Sequence, residues 1–173
     1  MYDTFATDRL IDLWLTEDIG AFDLTAQTMI EASEEADFHM NAREPMTVSG
    51  IAVAARVFQR YDPTLRVKVL VADGQRAEKG AILLEVSGSA RSMLTAERTA
   101  LNIVQRLSGI ATETARYVDA IAGTTADGIR PARCIRSCPI DLRTRCCAET
   151  AKVTAHRAPS EGRGTFSITG IAV

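Results

Sequence analysis

The longest regular pattern of hydrophobic and polar residues lies between residues 91 and 118. Apolar residues recur there every three or four positions, a spacing typical of an α-helix with one buried side. The predicted apolar side consists of Leu94, Leu101, Val104, Ala111, Ala115 and Val118, widened by Ala100, Ile103, Leu107 and Ile110. The predicted polar side consists of Arg91, Arg98, Asn102, Gln105, Thr112 and Arg116. Gly109 indicates either a close backbone approach or a break between two helices.

Two shorter segments also have helical spacing. Residues 5–17 and 51–61 place apolar side chains every three or four positions. The first segment carries Asp8 and Asp12 on its polar side. Asp23 is a candidate cap for a further helical segment, because a carboxylate there can accept a hydrogen bond from the first free amides.

Alternating segments predict a sheet. They lie at residues 37–44, 46–50, 66–72 and 81–86, with turns at Asp73-Gly74 and Lys79-Gly80. In the first of them Phe38, Met40 and Ala42 are predicted to face the core, and His39, Asn41 and Arg43 to face away from it. We expect His39 to be exposed and without a function. Helices segregated from a mostly antiparallel sheet predict an α+β fold whose N-terminal part is an α/β sandwich.

The composition is that of a globular protein, with 46% hydrophobic and 24% charged residues in a chain of 173. The sequence contains neither a long apolar run nor a signal peptide, so we predict a cytoplasmic protein with no membrane partner. The net charge of −2 is uneven, because residues 126–173 hold seven Arg and one Lys against two Asp and two Glu. All four cysteines also lie in this tail, at Cys134, Cys138, Cys146 and Cys147.

Two stretches carry a resemblance to a known family. Leu94-Thr-Ala-Glu-Arg-Thr-Ala-Leu-Asn, followed by Gln105-Arg-Leu-Ser-Gly-Ile-Ala-Thr112, resembles the signature of quinolinate phosphoribosyltransferase, the carboxylating nicotinate-nucleotide pyrophosphorylase. Glu17-Asp-Ile-Gly together with Asp23-Leu-Thr resembles the family's N-terminal motif, and we interpret it here as a capped loop. The resemblance implies an N-terminal domain over residues 1–115 and a truncated or divergent start of the catalytic α/β barrel over residues 116–173.

The resemblance implies a transferase of NAD biosynthesis. Its reaction moves the phosphoribosyl group of phosphoribosyl pyrophosphate to the ring nitrogen of quinolinate, giving nicotinate mononucleotide, CO₂ and pyrophosphate. In the family, the arginine corresponding to Arg98 reaches into the neighbouring subunit's active site and binds a substrate carboxylate, which implies a homodimer. The family also implies Mg²⁺ at the leaving pyrophosphate, although the acidic ligands expected for it do not occur in this sequence.

The resemblance weakens in the tail, where we identify no catalytic residue. Arg136, His156 and Arg157 lie near the places of the family's basic residues, so they are candidate substrate-binding residues. Ser137, however, stands where the family has a lysine, and Thr169 stands near the place of another. We interpret residues 126–173 as decayed or frameshifted sequence, with a divergent catalytic half as the alternative. We therefore expect impaired activity.

Other interpretations fit the residues less well. The cysteines have Cys-x₃-Cys and Cys-Cys spacing instead of the paired Cys-x₂-Cys of zinc sites, so we assign no metal ligand. A disulfide framework is not expected without a secretion signal, and the arginine excess comes without a nucleic-acid-binding module. Lys79 lies at a turn like the modified lysine of a lipoyl or biotinyl carrier. The remaining alternative is a non-catalytic remnant that dimerises through its N-terminal domain.

This pattern yields a first prediction, that residues 1–120 are the stable unit. Limited proteolysis should remove the tail before it cuts residues 40–110, because segments with few buried contacts are cut first. Mass spectrometry of the fragments over time would identify the sites. Equal resistance of the tail and residues 40–110 would contradict the prediction.

Overall fold

The computed structural model of the protein describes residues 4–20, 23–122 and the backbone of 164–171. The helices are α1 (Thr4–Ile19), α2 (Leu24–Met29), α3 (Ile51–Tyr61) and α4 (Ala90–Ile121). The strands are β1 (Glu35–Ala42), β2 (Met46–Thr47), β3 (Arg66–Val69), β4 (Arg76–Ala77), β5 (Ile82–Ser89) and β6 (Gly164–Ile171). None of the helices in the described ranges is both long enough and apolar enough to cross a membrane.

The main sheet has the order β3-β5-β1-β6. Strand β5 pairs antiparallel with both β1 and β3, whereas β6 runs parallel to β1. A second small sheet consists of β2 and β4. This arrangement of helices beside a mostly antiparallel sheet confirms the predicted α+β class.

The core lies between one face of the sheet and the helices. Alternate residues of β1 are buried, as its sequence pattern predicted, and the buried residues of β5 include Leu83, Leu84 and Val86. Phe38 of β1 meets Phe58 of α3, with ring centroids 5.6 Å apart at an angle of 52°. Such tilted aromatic pairs combine a large buried area with favourable ring electrostatics.

Two paired charges join α1 to α3. The guanidinium of Arg56 donates to both carboxylate oxygens of Asp8, at 2.9 and 2.8 Å. One turn further on, Arg60 donates to both oxygens of Asp12, at 2.8 Å each. These hydrogen bonds hold the pKa of both carboxyls below the usual range. The predicted polar side of the first helix is therefore the side that contacts α3.

The structure corrects several predictions about α4. It is one continuous helix of 32 residues, so Gly109 does not mark a break. Thr112 is 8% exposed and accepts a hydrogen bond from the Thr47 amide, so its place on the polar side was wrong. Val118 was placed on the apolar side, but it is 48% exposed. The fully buried stripe is rotated from the predicted one and runs through Met93, Ala96, Ala100, Val104 and Ser108.

Other sequence predictions also need correction. The strand predicted at residues 66–72 ends at Val69. His39 was expected to be exposed, but it is half-buried, with its Nδ1 3.8 Å from Glu85 Oε1. Residues 164–171 pair with β1, although the tail was interpreted as lacking the pattern of a folded segment. The boundary predicted at residue 115 stays a prediction, and α4 continues across it.

The start of α3 depends on a glycine packed against α4. Gly50 caps α3 with φ +87°, and a Cβ built on it would lie 2.6 Å from Leu107 Cδ1 and 3.3 Å from Ile103 Cγ2. The left-handed conformation itself costs a non-glycine residue about 1 kcal/mol, and overpacking adds about 1–3 kcal/mol. We therefore expect Gly50→Ala to lower the free energy of unfolding by about 2–4 kcal/mol in urea titrations.

Gly74 provides a matched control for this substitution. Its φ is +86°, nearly that of Gly50, but nothing lies within 4 Å of a Cβ built there. Gly74→Ala should therefore show the conformational cost alone, about 1 kcal/mol. If both variants lost the same free energy of unfolding, the contact with Leu107 would not contribute to the cost of Gly50→Ala.

Candidate functional site

Arg98 is the exposed residue in an otherwise buried part of α4. Its two neighbours in the sequence, Glu97 and Thr99, are 5% and 0% exposed. Within the described ranges the Arg98 guanidinium forms neither a hydrogen bond nor a salt bridge. A guanidinium offers five N–H donors in a fixed planar geometry, so this side chain is available for a carboxylate or phosphate.

A polar strip runs along α4 from Arg98. Asn102 and Gln105 follow at spacings of four and three residues, which places all three on one side of the helix. Both amide side chains are half-buried, whereas Arg98 is exposed. An arginine flanked by amide groups suits an anionic ligand that carries further hydrogen-bonding atoms.

The first turns of α4 are held by the end of α1 and by the segment that joins α1 to β1. The Thr99 hydroxyl donates to Asp18 Oδ2 at 2.6 Å. Nearer the start of the helix, Arg91 donates to the carbonyl of Ile30 at 2.5 Å. In the same segment, Asp23 caps α2 by accepting from the Ala26 amide at 3.0 Å. The interpretation of this motif as a capped loop was wrong for residues 17–19, which belong to α1, whereas Asp23 does cap a helix. Through Asp18 the motif also contacts the helix that carries Arg98.

Glu97 is a buried carboxyl that the sequence analysis did not single out. Burial raises its pKa from an ordinary 4.5 to about 7, although the adjacent Arg98 lowers it. No hydrogen-bond partner for Glu97 occurs among the residues that the structure describes. The sequence spacing already indicated that Glu97 is buried. It lies three residues after Leu94 and four before Leu101, on the predicted apolar side.

A second group of charges lies on the outer face of the sheet. Glu85 lies 3.5 Å from Lys68 Nζ and 3.8 Å from His39 Nδ1. Asp37 and Arg66 line the same shallow groove. The positive and negative groups offset each other there, so the groove does not favour an anionic substrate as Arg98 does.

The other predicted site residues lie outside the described ranges. This applies to Arg136, His156 and Arg157, so the structure does not bring them together with Arg98. It also applies to the cysteines considered as zinc ligands, at Cys134, Cys138, Cys146 and Cys147. Lys79, the residue that prompted the carrier alternative, is exposed next to Gly80, whose φ is +87°. Within the described part of the chain, no three His, Cys, Asp or Glu side chains cluster closely enough to hold a metal ion.

The buried carboxyl of Glu97 predicts a specific dependence of stability on pH. Because its pKa is higher in the folded state, the folded chain binds more protons than the unfolded chain between pH 4.5 and about 7. Stability should therefore fall as pH rises through this window, by about 3 kcal/mol in total. Glu97→Gln should remove this loss in urea titrations at pH 5 and pH 8.

Three other carboxyl groups affect stability only at lower pH, and an exposed glutamate provides a control. The lowered pKa values of Asp8, Asp12 and Asp62 make them lose their stabilising contribution only as pH falls towards and below 3.8. Glu78→Gln, at an exposed position, should keep the pH dependence of the unmodified protein. If Glu97→Gln kept it as well, the raised pKa of Glu97 would be wrong.

Comparisons with known proteins place these features in a family. A family profile described as quinolinate phosphoribosyl transferase, N-terminal domain, matches residues 23–108. The chain is 39% identical over 115 residues to a probable carboxylating nicotinate-nucleotide pyrophosphorylase of Synechocystis, covering 66% of this chain and 39% of the relative. It is 36% identical over 137 residues to the chloroplastic enzyme of Arabidopsis thaliana, covering 75% and 39% of the two chains.

A solved structure agrees with the sequence relatives. The nicotinate-nucleotide pyrophosphorylase from Francisella tularensis superposes with a TM-score of 0.67 at 34% identity, over 71% of this chain and 44% of that one. The chain thus spans well under half the length of these relatives. The profile match includes α3, the main antiparallel strands and Arg98. Residues 23–108 of this chain are therefore an N-terminal domain of the quinolinate phosphoribosyltransferase family.

Proposed function

We propose that this chain supplies Arg98 to the quinolinate-binding site of a phosphoribosyltransferase whose catalytic half lies on a second subunit. The observation that carries the proposal is the exposed guanidinium of Arg98, which has no hydrogen bond or salt bridge within the described part of the chain. It belongs to a segment that matches the family profile. Relatives are named as quinolinate phosphoribosyltransferases, so we propose an aromatic dicarboxylate as the ligand of Arg98.

The chemistry of the substrate fits this side chain. Quinolinate carries two carboxylates, and an arginine binds a carboxylate through two parallel N–H···O bonds. In the proposed reaction the ring nitrogen forms a bond to the anomeric carbon of phosphoribosyl pyrophosphate as the bond to pyrophosphate breaks. The carboxyl group next to the nitrogen then leaves as CO₂, and a proton takes its place. Arg98 would orient the dianion without taking part in bond exchange.

The described residues do not fit a metal role. They contain no cluster of ligands for Mg²⁺, so no step of this proposal runs through the metal. We propose, from the family resemblance, that Mg²⁺ accompanies the pyrophosphate in a complete enzyme and is bound there by acidic groups of the catalytic half, which this sequence does not contain. Arg136, His156 and Arg157 stay candidate substrate-binding residues on the same grounds.

A subunit arrangement follows from the same proposal. Arg98 lies in a region of this chain that matches 39% of the Synechocystis relative, and the resemblance assigns it to the active site of the neighbouring subunit. We therefore propose a homodimer for this chain, and a mixed dimer when an intact relative is present. In the mixed dimer one complete active site would form, from Arg98 of this chain and the catalytic half of the relative.

This proposal predicts that the chain alone does not make nicotinate mononucleotide. Pyrophosphate release that depends on quinolinate should stay at background for the purified chain. The same assay should show turnover when the chain is co-expressed with an intact relative whose arginine matching Arg98 is replaced by alanine, here called the arginine-deficient relative. Turnover arises in this mixture because each protein supplies the part that the other lacks.

Substitutions in this chain test the role of Arg98. Arg98→Ala should lower the restored turnover about 100-fold, because hydrogen bonds to charged groups are worth about 1.5–3 kcal/mol each. Arg98→Lys should restore only part of it, since lysine keeps the charge but loses the two-pronged geometry. Arg116→Ala, at an exposed position paired with Glu113 further along α4, should leave turnover unchanged.

Two outcomes would favour the alternatives. A mixed dimer that assembles but shows no turnover would favour a non-catalytic remnant that dimerises through its N-terminal domain. A covalent lipoyl or biotinyl group on Lys79, detected by mass spectrometry of the intact chain, would favour the carrier module. Turnover by the chain alone that disappears in Arg98→Ala would show that its tail completes a working site.

A further inference from the structure

We propose that Asp18 is a positioning residue for substrate binding, which holds Arg98 in place through Thr99. This inference rests on the proposed function of Arg98. Asp18 does not contact the substrate in this scheme. It fixes the rotation of α4 at the turn from which the Arg98 side chain projects.

The contact between Asp18 and Thr99 has the geometry of a strong hydrogen bond. The Thr99 hydroxyl is 2.6 Å from Asp18 Oδ2, and Thr99 is 0% exposed. A bond from a hydroxyl to a carboxylate at this distance is about twice as strong as one between neutral groups. The two residues are 81 positions apart in the sequence, so the bond joins the end of α1 directly to α4.

A second contact holds α4 two turns earlier. Arg91 donates to the carbonyl of Ile30 at 2.5 Å and more weakly to that of Gln27 at 3.3 Å. Ile30 is the residue that ends α2, and cationic groups are favoured near the C-terminal ends of helices. The end of α1 thus contacts α4 at Thr99, and the end of α2 contacts it at Arg91.

These two contacts lie on either side of Arg98. Arg91 precedes it by seven residues, which is two helical turns, and Thr99 follows it directly. Arg98 has no anchor of its own within the described part of the chain, so its position depends on the rotation of the helix. Because the paired hydrogen bonds of an arginine with a carboxylate depend on geometry, a fixed helix matters more for binding here than at an ordinary exposed arginine.

Kinetics of the mixed dimer test the proposed role. Asp18→Ala should raise the KM for quinolinate about tenfold and leave kcat nearly unchanged, because it loosens a binding group and no reacting group. Asp18→Asn should retain a KM within about twofold of the unmodified chain, since its amide oxygen still accepts from Thr99. Thr99→Val should match Asp18→Ala, since it removes the donor of the same bond at similar volume.

Amide hydrogen exchange of the full chain gives an independent measurement that needs no turnover. In Asp18→Ala, the amides of residues 95–102 should exchange about tenfold faster, because this part of α4 loses its hydrogen bond to the end of α1. Amides of β1 and β5 should keep their rates, which would separate local loosening from general destabilisation.

Each outcome decides a different point. No restored turnover with the unmodified chain would overturn the proposed function and, with it, the role of Asp18 in substrate binding. Restored turnover with an unchanged KM in Asp18→Ala would overturn the positioning role alone. Equal rise of KM in Asp18→Ala and Asp18→Asn would do so too, because the hydrogen bond would then not be the cause. Exchange rates in Asp18→Ala equal to those of the unmodified chain would show that the bond does not anchor α4.

Discussion

The burial of α4 on nearly every side is the constraint on which the rest of this fold depends. Over its first four turns this helix packs against the sheet, α3 and the segment that joins α1 to β1, and Arg98 is its exposed residue there. A helix in this position must have polar groups that find partners, because an unpaired polar group in the interior costs about 1–3 kcal/mol. Among the described residues, the buried hydroxyl groups of α4 meet that requirement, and the carboxyl of Glu97 is the exception.

Ser108 and Thr112 illustrate how the requirement is met. The two hydroxyls bind backbone groups at the end of β2 and in the residues that follow it before α3. Thr112 Oγ1 accepts from the amide of Thr47 at 2.9 Å. Ser108 Oγ accepts from the amide of Ser49 at 3.0 Å and donates to its carbonyl at 3.2 Å. These buried polar residues of α4 thus bind the backbone that leads into α3, and the adjacent Gly50 has no side chain to collide with Leu107 there.

Sequence periodicity gave the class of the fold and the bounds of α3, and it placed Phe38 and Met40 in the core. It failed where a polar residue owes its position to a partner far away in the sequence. Thr112 is hydrophilic by type, so the pattern put it on the outside, whereas its partner Thr47 lies 65 positions away. Asp18 and Thr99 could not be joined for the same reason. Arg98 was found only through the resemblance, because an exposed arginine on a helix has no periodic signature of its own.

The same reasoning supports the proposal that Arg98 contributes to a site between chains. Within the described ranges, the residues next to Arg98 in α4 are buried, and Arg98 lies on one side of the helix with the half-buried Asn102 and Gln105. A strip on the convex surface of a helix cannot enclose a ligand, whereas small-molecule sites bury most of their ligand in a concave pocket. The remaining walls must therefore come from other groups. In the proposed arrangement, an arginine on a buried helix, with no partner for its guanidinium among the described residues, is suited to complete a pocket that a second subunit provides.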